Sequence, residues 1–517
     1  MTMRPSARPP VPRAPAAEHD VPRPATGAAL VTSPSARAAL APDLRWLAGA
    51  VVALLAIVTG VAVAAGPAGV AAACAAIAAG ALVLAGRRIP SVFHFVLAGL
   101  LLGYLILGRG FAYLGAGGLF VGELGVALAV IATAVSLGRW RIGTVEAVLL
   151  AFLAWGAIRT IPYLGAYGVT ALRDAVSWGY ALIAVGVATT LTAPTMRVAV
   201  RLYGRLALPA VLWFPVAAVL AAVLADQIPA VPGSPVPVIY FKSGDAGVHL
   251  AAIAAFVLVG LYRRSAVVEA VLWTSWGVSA VLVAALSRGG MVAASTAVFA
   301  LLFVRRLGRW LLPAAVATVL FIGSWLVDPT VDLGLQRQIS FQQLIDNATS
   351  IFVDRPNTSE QGTKEWRLAW WEKIVDYTVD GPYFWTGKGF GINLADDDGF
   401  QVLAGQALRS PHSAHFEILA RTGVPGIVLW VLLQAAWAAA MFVAALRARR
   451  TGRAWWLAVV AWLFIYWLAA IVNMSVDVYL SGPQGGIWFW AVFGAGLAVA
   501  RMIKDGEPDA VEPQADD

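Results

Sequence analysis

Charged side chains are scarce in this chain, at 13% of residues, where a soluble protein carries roughly 25%. With hydrophobic residues at 60%, a water-soluble globule is excluded. Cysteine is nearly absent: Cys74 stands alone in an Ala-rich apolar run, so neither an intramolecular disulfide nor a thiolate metal site can form. Helix packing accounts for it. Alternating ten-residue strands are missing, which excludes a barrel as the spanning element. The first residues also lack the contiguous apolar core and cleavage site of a signal peptide.

What the chain has instead is a series of apolar runs of about 20 residues, the length a helix needs to cross a bilayer core of roughly 30 Å. The expected fold class is therefore all-α, a polytopic bundle of about 12 to 14 transmembrane helices. Candidate spans fall near 46–65, 68–86, 91–108, 119–137, 143–159, 175–192 and 206–224. The remainder fall near 246–262, 266–286, 290–304, 310–327, 424–445, 454–472 and 487–501.

A net charge of +8 raises the question of nucleic acid, but the basic residues sit in short clusters between apolar runs. They include Arg87 and Arg88, Arg139 and Arg141, Arg197 to Arg205, Arg263 and Arg264, Arg305 to Arg309, and Arg447 to Arg453. That one-sided pattern is the signature of cytoplasmic loops, so the partner is a lipid bilayer and no nucleic acid. It predicts a multi-pass protein of the cytoplasmic membrane with both termini inside. The domain reading follows: a Pro-, Ala- and Arg-rich disordered tail at 1–44, a transmembrane bundle at 45–327, a large external loop at 328–412, further transmembrane helices at 413–503, and an acidic tail at 504–517.

Loops beyond about 15 residues are uncommon unless they carry function, and the long external segment is patterned. Phe341, Leu344, Ile345, Ala348 and Phe352 recur at helical spacing, and so do Trp366, Trp370, Ile374 and Tyr377. Two amphipathic helices are expected, with tryptophans favouring the membrane interface.

Three constellations converge on the external side under this topology. The first is Ser287-Arg288-Gly289-Gly290, at the outer ends of two spans; an arginine there offers a planar fork of donors to phosphate oxygens. Its bland alternative is an interfacial anchor. The second is Arg367 on the Trp-rich helix, followed by Gly387-Lys388-Gly389-Phe390-Gly391. That glycine stretch lacks the strand context of a nucleotide-binding motif and reads as a tight turn returning the loop to the membrane. The third begins at Pro411-His412-Ser413-Ala414-His415-Phe416-Glu417 and runs into a span. His412 suits a general base, because an imidazole titrates near working pH. His415, three residues on, permits a metal pair with it, but no nearby motif completes such a site, so the expectation is no metal and no cofactor. His94 and His249 sit within spans and read as interhelical hydrogen-bonding residues.

The ordered combination of Ser-Arg-Gly, an external loop with an Arg and Trp helix and a Gly-x-Gly-Phe-Gly turn, then His-Ser-x-x-Phe-Glu-Ile-Leu, resembles the O-antigen ligase and polymerase superfamily. The resemblance covers roughly 90–500 in architecture and 280–430 in motif. It implies a metal-independent glycosyltransferase that moves a glycan from a polyprenyl-pyrophosphate-linked donor to an acceptor hydroxyl on a glycan, lipid or protein, in surface polysaccharide biosynthesis. Carried over residue by residue, it implies a catalytic role for His412 and pyrophosphate binding by Arg288, Arg367 and Arg173. His415, Ser287 and Glu417 would support them, and Asp396, Asp397, Asp398 or Glu417 would assist an oxocarbenium-like state. Ser413 stands where the family commonly has Asn, and His415 where it usually has an aromatic residue. A polymerase of lipid-linked repeat units and, from another class, a lipid-linked sugar flippase are the competing readings.

Overall fold

The structure is a computed structural model; it describes residues 88–116, 119–224, 227–303, 307–327, 340–349, 359–403, 405 and 408–509. The expected spans at 46–65 and 68–86, and both tails apart from 504–509, lie outside the described residues.

Among the described residues the regular elements are helices, apart from two two-residue strands, Gly115–Ala116 paired with Leu119–Phe120. In order, the helices that matter here are α1 (Ile89–Leu107), α2 (Val121–Ser136), α3 (Thr144–Thr160), α4 (Val169–Gly179), α5 (Ala181–Thr190) and α6 (Ala193–Val223). They continue with α7 (Ser243–Leu258), α8 (Ala266–Leu286), α9 (Arg288–Ser295), α10 (Leu311–Val327), α11 (Phe341–Thr349) and α12 (Ser359–Thr378). The series ends with α13 (Leu394–Asp398), α14 (Ala414–Arg450), α15 (Ala454–Met474) and α16 (Pro483–Asp505).

Among the described residues, eight helices are long and apolar enough to cross a membrane, or nine if α4 and α5, bent by 46°, form one span. The runs expected at 119–137 and 246–262 appear as the shorter apolar helices α2 and α7. The run expected at 290–304 is broken: α9 gives way to a 3₁₀ segment at Thr296–Leu302. The span expected from 424 begins at a kink within α14, where Gly423 has φ of 70°. A side chain there would meet the Phe384 carbonyl at 2.4 Å, so only glycine lets the loop pass this close.

The helices share one core. Trp430 and Trp437 of α14, Trp456 of α15 and Trp490 of α16 are wholly buried in it. Two ends can be told apart by contacts. Arg141 pairs with Asp505 at 3.4 Å, Arg197 donates to the Pro508 carbonyl and Arg453 to that of Ile503, which gathers the basic turns at the C-terminal end of α16. The starts of α7 and α9 and the end of α15 meet at the opposite end, as their shared cavity below shows.

The expected amphipathic helices are present as α11 and α12; Phe352 lies outside the described residues. The Trp face of α12 has a different destination from the one its composition suggests. Trp370 and Ile374 are fully buried against Leu394, Ala395, Leu408, Leu419 and Ala420, with Trp366 and Tyr377 at the margin. The long segment and the start of α14 share a small core, and that core, rather than the bilayer surface, takes the apolar stripe.

Candidate functional site

Three helix ends frame a cavity of about 380 Å³. Ser287 ends α8 and caps α9, its Oγ accepting from the Gly290 amide at 3.0 Å. Gly290 in turn packs against Gly247 of α7, where an added Cβ would come within 2.3 Å of the Gly290 carbonyl. This glycine contact lets α7 and α9 approach closely, so both N-termini face the cavity through Ser243, Gly244, Arg288 and Gly289. Helix N-termini and their macrodipoles favour an anion there.

Side chains add charge of the same sign. Arg288, Arg367 and Lys242 all line the cavity, with Asp477 as the carboxylate among them. Lys242 Nζ donates to Asp477 Oδ1 at 2.7 Å, and Arg367 Nη1 donates to the Val476 carbonyl at 3.2 Å. Burial alone would raise the Asp477 carboxyl, but Lys242 beside it and the Val478 amide bring it below the ordinary carboxylate range. Asp477 is therefore ionised at neutral pH.

His412 closes one wall of this cavity. Among the described residues it is the one non-glycine with a positive φ, 54°. Such a conformation costs about 1–3 kcal/mol and is retained where the surroundings over-determine it. The Trp371 indole holds the preceding Pro411 carbonyl at 2.8 Å, and the Trp366 ring stands edge-on to the imidazole at 6.0 Å between centroids. Burial, then the Arg367 guanidinium, push the imidazole down to about 4, with Asp477 opposing. The ring is therefore neutral at pH 7, and in the free protein it is a weaker base than the near-neutral titration expected from the sequence implies.

The other expected residues have different stations. His415 is engaged at both nitrogens: Trp430 Nε1 donates to Nδ1 and Nε2 contacts Ser475 Oγ, each at 3.0 Å. With Nδ1 accepting, the proton sits on Nε2, and His415 ties α14 to the end of α15. Glu417 is buried and accepts from Ser410 at 3.0 Å, Ser481 at 2.6 Å and Arg421 at 3.2 Å. It thus joins the segment that carries His412 to the one that carries Asp477. Arg173 is exposed on α4 and does not line the cavity. Its buried neighbour Asp174 is the structural centre, pairing with Arg409 at 2.9 Å and Arg421 at 3.1 Å.

The acidic run is likewise structural. Asp398 accepts from Trp370 Nε1 at 2.7 Å and from Lys388, Asp397 pairs with the same lysine, and Asp396 accepts from Asn393 and Gln401. The Gly387 to Gly391 stretch is the tight turn that its composition suggested. Its amides donate to the Ala420 and Arg421 carbonyls and to Asp174, which locks the loop against α14 and α4.

Lys242, Asn473 and Asp477 line the cavity without having been singled out in the sequence. A usable signal existed for two of them: Lys242 is the lone cation at 225–245 and Asp477 the lone charge at 473–486, both between apolar runs and apart from the basic clusters. Asn473 is 1% exposed, with neither amide atom hydrogen-bonded among the described residues. A buried amide without partners is costly unless a ligand supplies them.

Residues 270–431 match the sequence family described as O-Antigen ligase. The match spans α8 to the middle of α14 and includes Arg288, Arg367 and His412. No curated protein matches the chain.

Proposed function

From the match of residues 270–431 to the O-Antigen ligase family, we propose that this chain transfers a glycan from a polyprenyl-pyrophosphate carrier to an acceptor hydroxyl on the external face of the cytoplasmic membrane. One observation carries the reading: Arg288, Arg367 and Lys242 share a cavity with two helix N-termini and with His412.

The chemistry follows from those groups. As the bond from the anomeric carbon to the pyrophosphate oxygen breaks, negative charge grows on the leaving phosphate. Arg288 and Arg367 meet it with planar forks and Lys242 with a point charge, Lys242 and Arg367 being held by Asp477 and the Val476 carbonyl before the reaction. The acceptor oxygen forms the new bond to the anomeric carbon and gives its proton to the neutral His412 imidazole. His412 then returns the proton to solvent or to the released pyrophosphate. Three cations less the Asp477 carboxylate leave a net charge equal to the one a divalent ion supplies in other transferases, so the proposed reaction proceeds without metal.

A flippase reading fits less well. Transporters place their ionisable groups near the midplane of broken helices, whereas this cavity lies at helix ends.

The test is transfer by purified protein from a polyprenyl-pyrophosphate-linked glycan, with and without chelator. Wild-type protein should transfer in both. His412→Ala should stay monodisperse and bind donor yet lose about a hundred- to ten-thousand-fold in rate; a wild-type rate would remove the base from the mechanism. In cells, deletion of the gene separates the two acceptor classes. Accumulated lipid-linked polymer indicates ligation, and accumulated single repeat units indicate polymerisation.

A further inference from the structure

Arg367 and His412 face two chambers. Beyond the cationic cavity lies a second one of about 470 Å³, and the two share Thr363, Arg367 and His412. Their other walls have different origins. The cationic cavity is closed by Leu286 and Asn473, at the ends of membrane-spanning α8 and α15. The second is closed by Trp366, Val402, Leu403 and Leu408, all from the segment between the spans. A polyprenyl tail has to leave toward the bilayer, so its headgroup belongs in the first chamber. The second has no wall on a membrane helix among the described residues.

We propose that this second chamber receives the acceptor glycan, its terminal sugar lying against Trp366. The inference rests on the transferase reading and names the substrate half that reading leaves open. The base has to touch the acceptor oxygen and the guanidinium fork has to touch the leaving phosphate, so the two substrates must meet at the wall that Arg367 and His412 form. Trp366 is suited to the task. One side packs edge-on against Trp370 at 5.2 Å and Phe400 at 6.0 Å, so the indole is held in place before binding. Sugar rings present faces of C–H groups that pack on an indole, while Thr363 and Arg367 offer hydrogen bonds to hydroxyls around the ring. At the mouth, Val402 and Leu403 are 65% and 51% exposed. Apolar rims around a few convergent polar groups are the usual make-up of a small-molecule site.

The experiment uses the full chain in lipid nanodiscs and two probes: glycan released from the cell's own envelope and freed of lipid, and undecaprenyl pyrophosphate. Saturation-transfer NMR and Trp fluorescence read the binding of each. Leu403 is exposed and Trp366→Phe keeps a ring in the cluster, so both variants should fold. Leu403→Asp and Trp366→Phe should weaken the glycan by about tenfold or more and leave undecaprenyl pyrophosphate within about twofold. Arg288→Ala should do the reverse, and the two probes should bind together. Unchanged glycan affinity in both variants, or displacement of glycan by undecaprenyl pyrophosphate, overturns the acceptor site. If instead Arg288→Ala leaves carrier binding intact, the donor reading fails while the glycan arm still reports on the second chamber.

Discussion

Lys242 and Asp477 lie 235 positions apart in the chain and meet at 2.7 Å, Nζ to Oδ1, on the wall of the cationic cavity. The pair joins the segment entering α7 to the segment leaving α15. In the proposed reaction it also sets the charge that the pyrophosphate would meet, because Asp477 offsets one of three cations. Asp477→Asn should therefore bind undecaprenyl pyrophosphate more tightly, by about fivefold for a partly exposed charge pair, while kcat falls. Loss of kcat is expected because Lys242 is no longer held and His412 loses the carboxylate that opposes Arg367. Weaker carrier binding in this variant would show that Asp477 only builds the wall.

Arg288 and Arg367 are expected to act through geometry as well as charge. Lys keeps the charge but not the bidentate fork, so Arg288→Lys should insert and fold normally yet lose most of its transfer rate. Arg288→Ala and Arg367→Ala should each weaken carrier binding by about ten- to a hundredfold. Wild-type rates in both alanine variants would make them interfacial anchors.

His412 predicts a particular pH profile. Its imidazole is pushed down to about 4 in the free protein, by burial first and by Arg367 second. The acid limb of kcat/KM reports the free enzyme, so activity should hold from neutral pH down to about 4 and fall below it. Bound pyrophosphate brings negative charge beside the ring, so the acid limb of kcat should lie higher. Arg367→Gln removes a lowering charge and should move the kcat/KM limb upward. The sign for stability is set by the same shift. Between about 4 and the unfolded value near 6.5, the unfolded chain binds a proton that the folded chain excludes. His412 thus costs stability as pH falls through that window. An acid limb near the unperturbed value in wild type, unmoved by Arg367→Gln, would contradict this arrangement.

The orientation proposed from the basic loops has a direct check. A cysteine placed at Leu403 should react with an impermeant maleimide on intact cells, and one placed at Arg449 should not. The opposite labelling would put the cavity on the cytoplasmic side and remove lipid-linked glycan chemistry from it.

How much of this was legible beforehand depended on sequence distance. Arg288, Arg367 and His412 each sit in a local pattern: a glycine pair after a span, a Trp helix, a histidine before a span. Their types and positions could be read without knowing the fold, and the cavity brings them together. Lys242 and Asp477 gain their meaning from a contact across 235 positions, which no window of sequence contains. Arg173 is implied by the resemblance alone, and helix phase turns it to the exposed side and sends Asp174 inward. The Trp face of α12 is legible in its period but not in its destination, because the partners that bury it come from distant parts of the chain, Leu394, Ala395, Leu408 and the start of α14. Glu417 has the right burial for chemistry, but its bonds to Ser410, Ser481 and Arg421 fix loops rather than face the cavity.

Asp174 and Arg173, adjacent in the chain, contrast a residue that holds the external segment together with one that is exposed beside it. The Asp174 side chain is 7% exposed and meets two guanidiniums, that of Arg421 being 1% exposed. Arg421 also binds Glu417 and the carbonyls of Gly389 and Ile392, so one buried network fastens α4, the glycine turn and α14 together. Removing one partner of a buried pair typically costs about 3–5 kcal/mol, because the remaining charge stays desolvated. Asp174→Ala should therefore lower the melting temperature of the detergent-solubilised protein by several degrees or prevent its recovery as a monodisperse species. Arg173→Ala, one residue away and exposed, should melt like wild type. Carrier binding then separates the two roles: any Asp174→Ala protein recovered at low temperature should still bind undecaprenyl pyrophosphate, since the cationic cavity contains neither Asp174 nor its partners. Loss of carrier binding in Arg173→Ala with unchanged melting would restore Arg173 to the pyrophosphate site, and an unchanged melt in Asp174→Ala would show that the buried network is not what holds the loop in place.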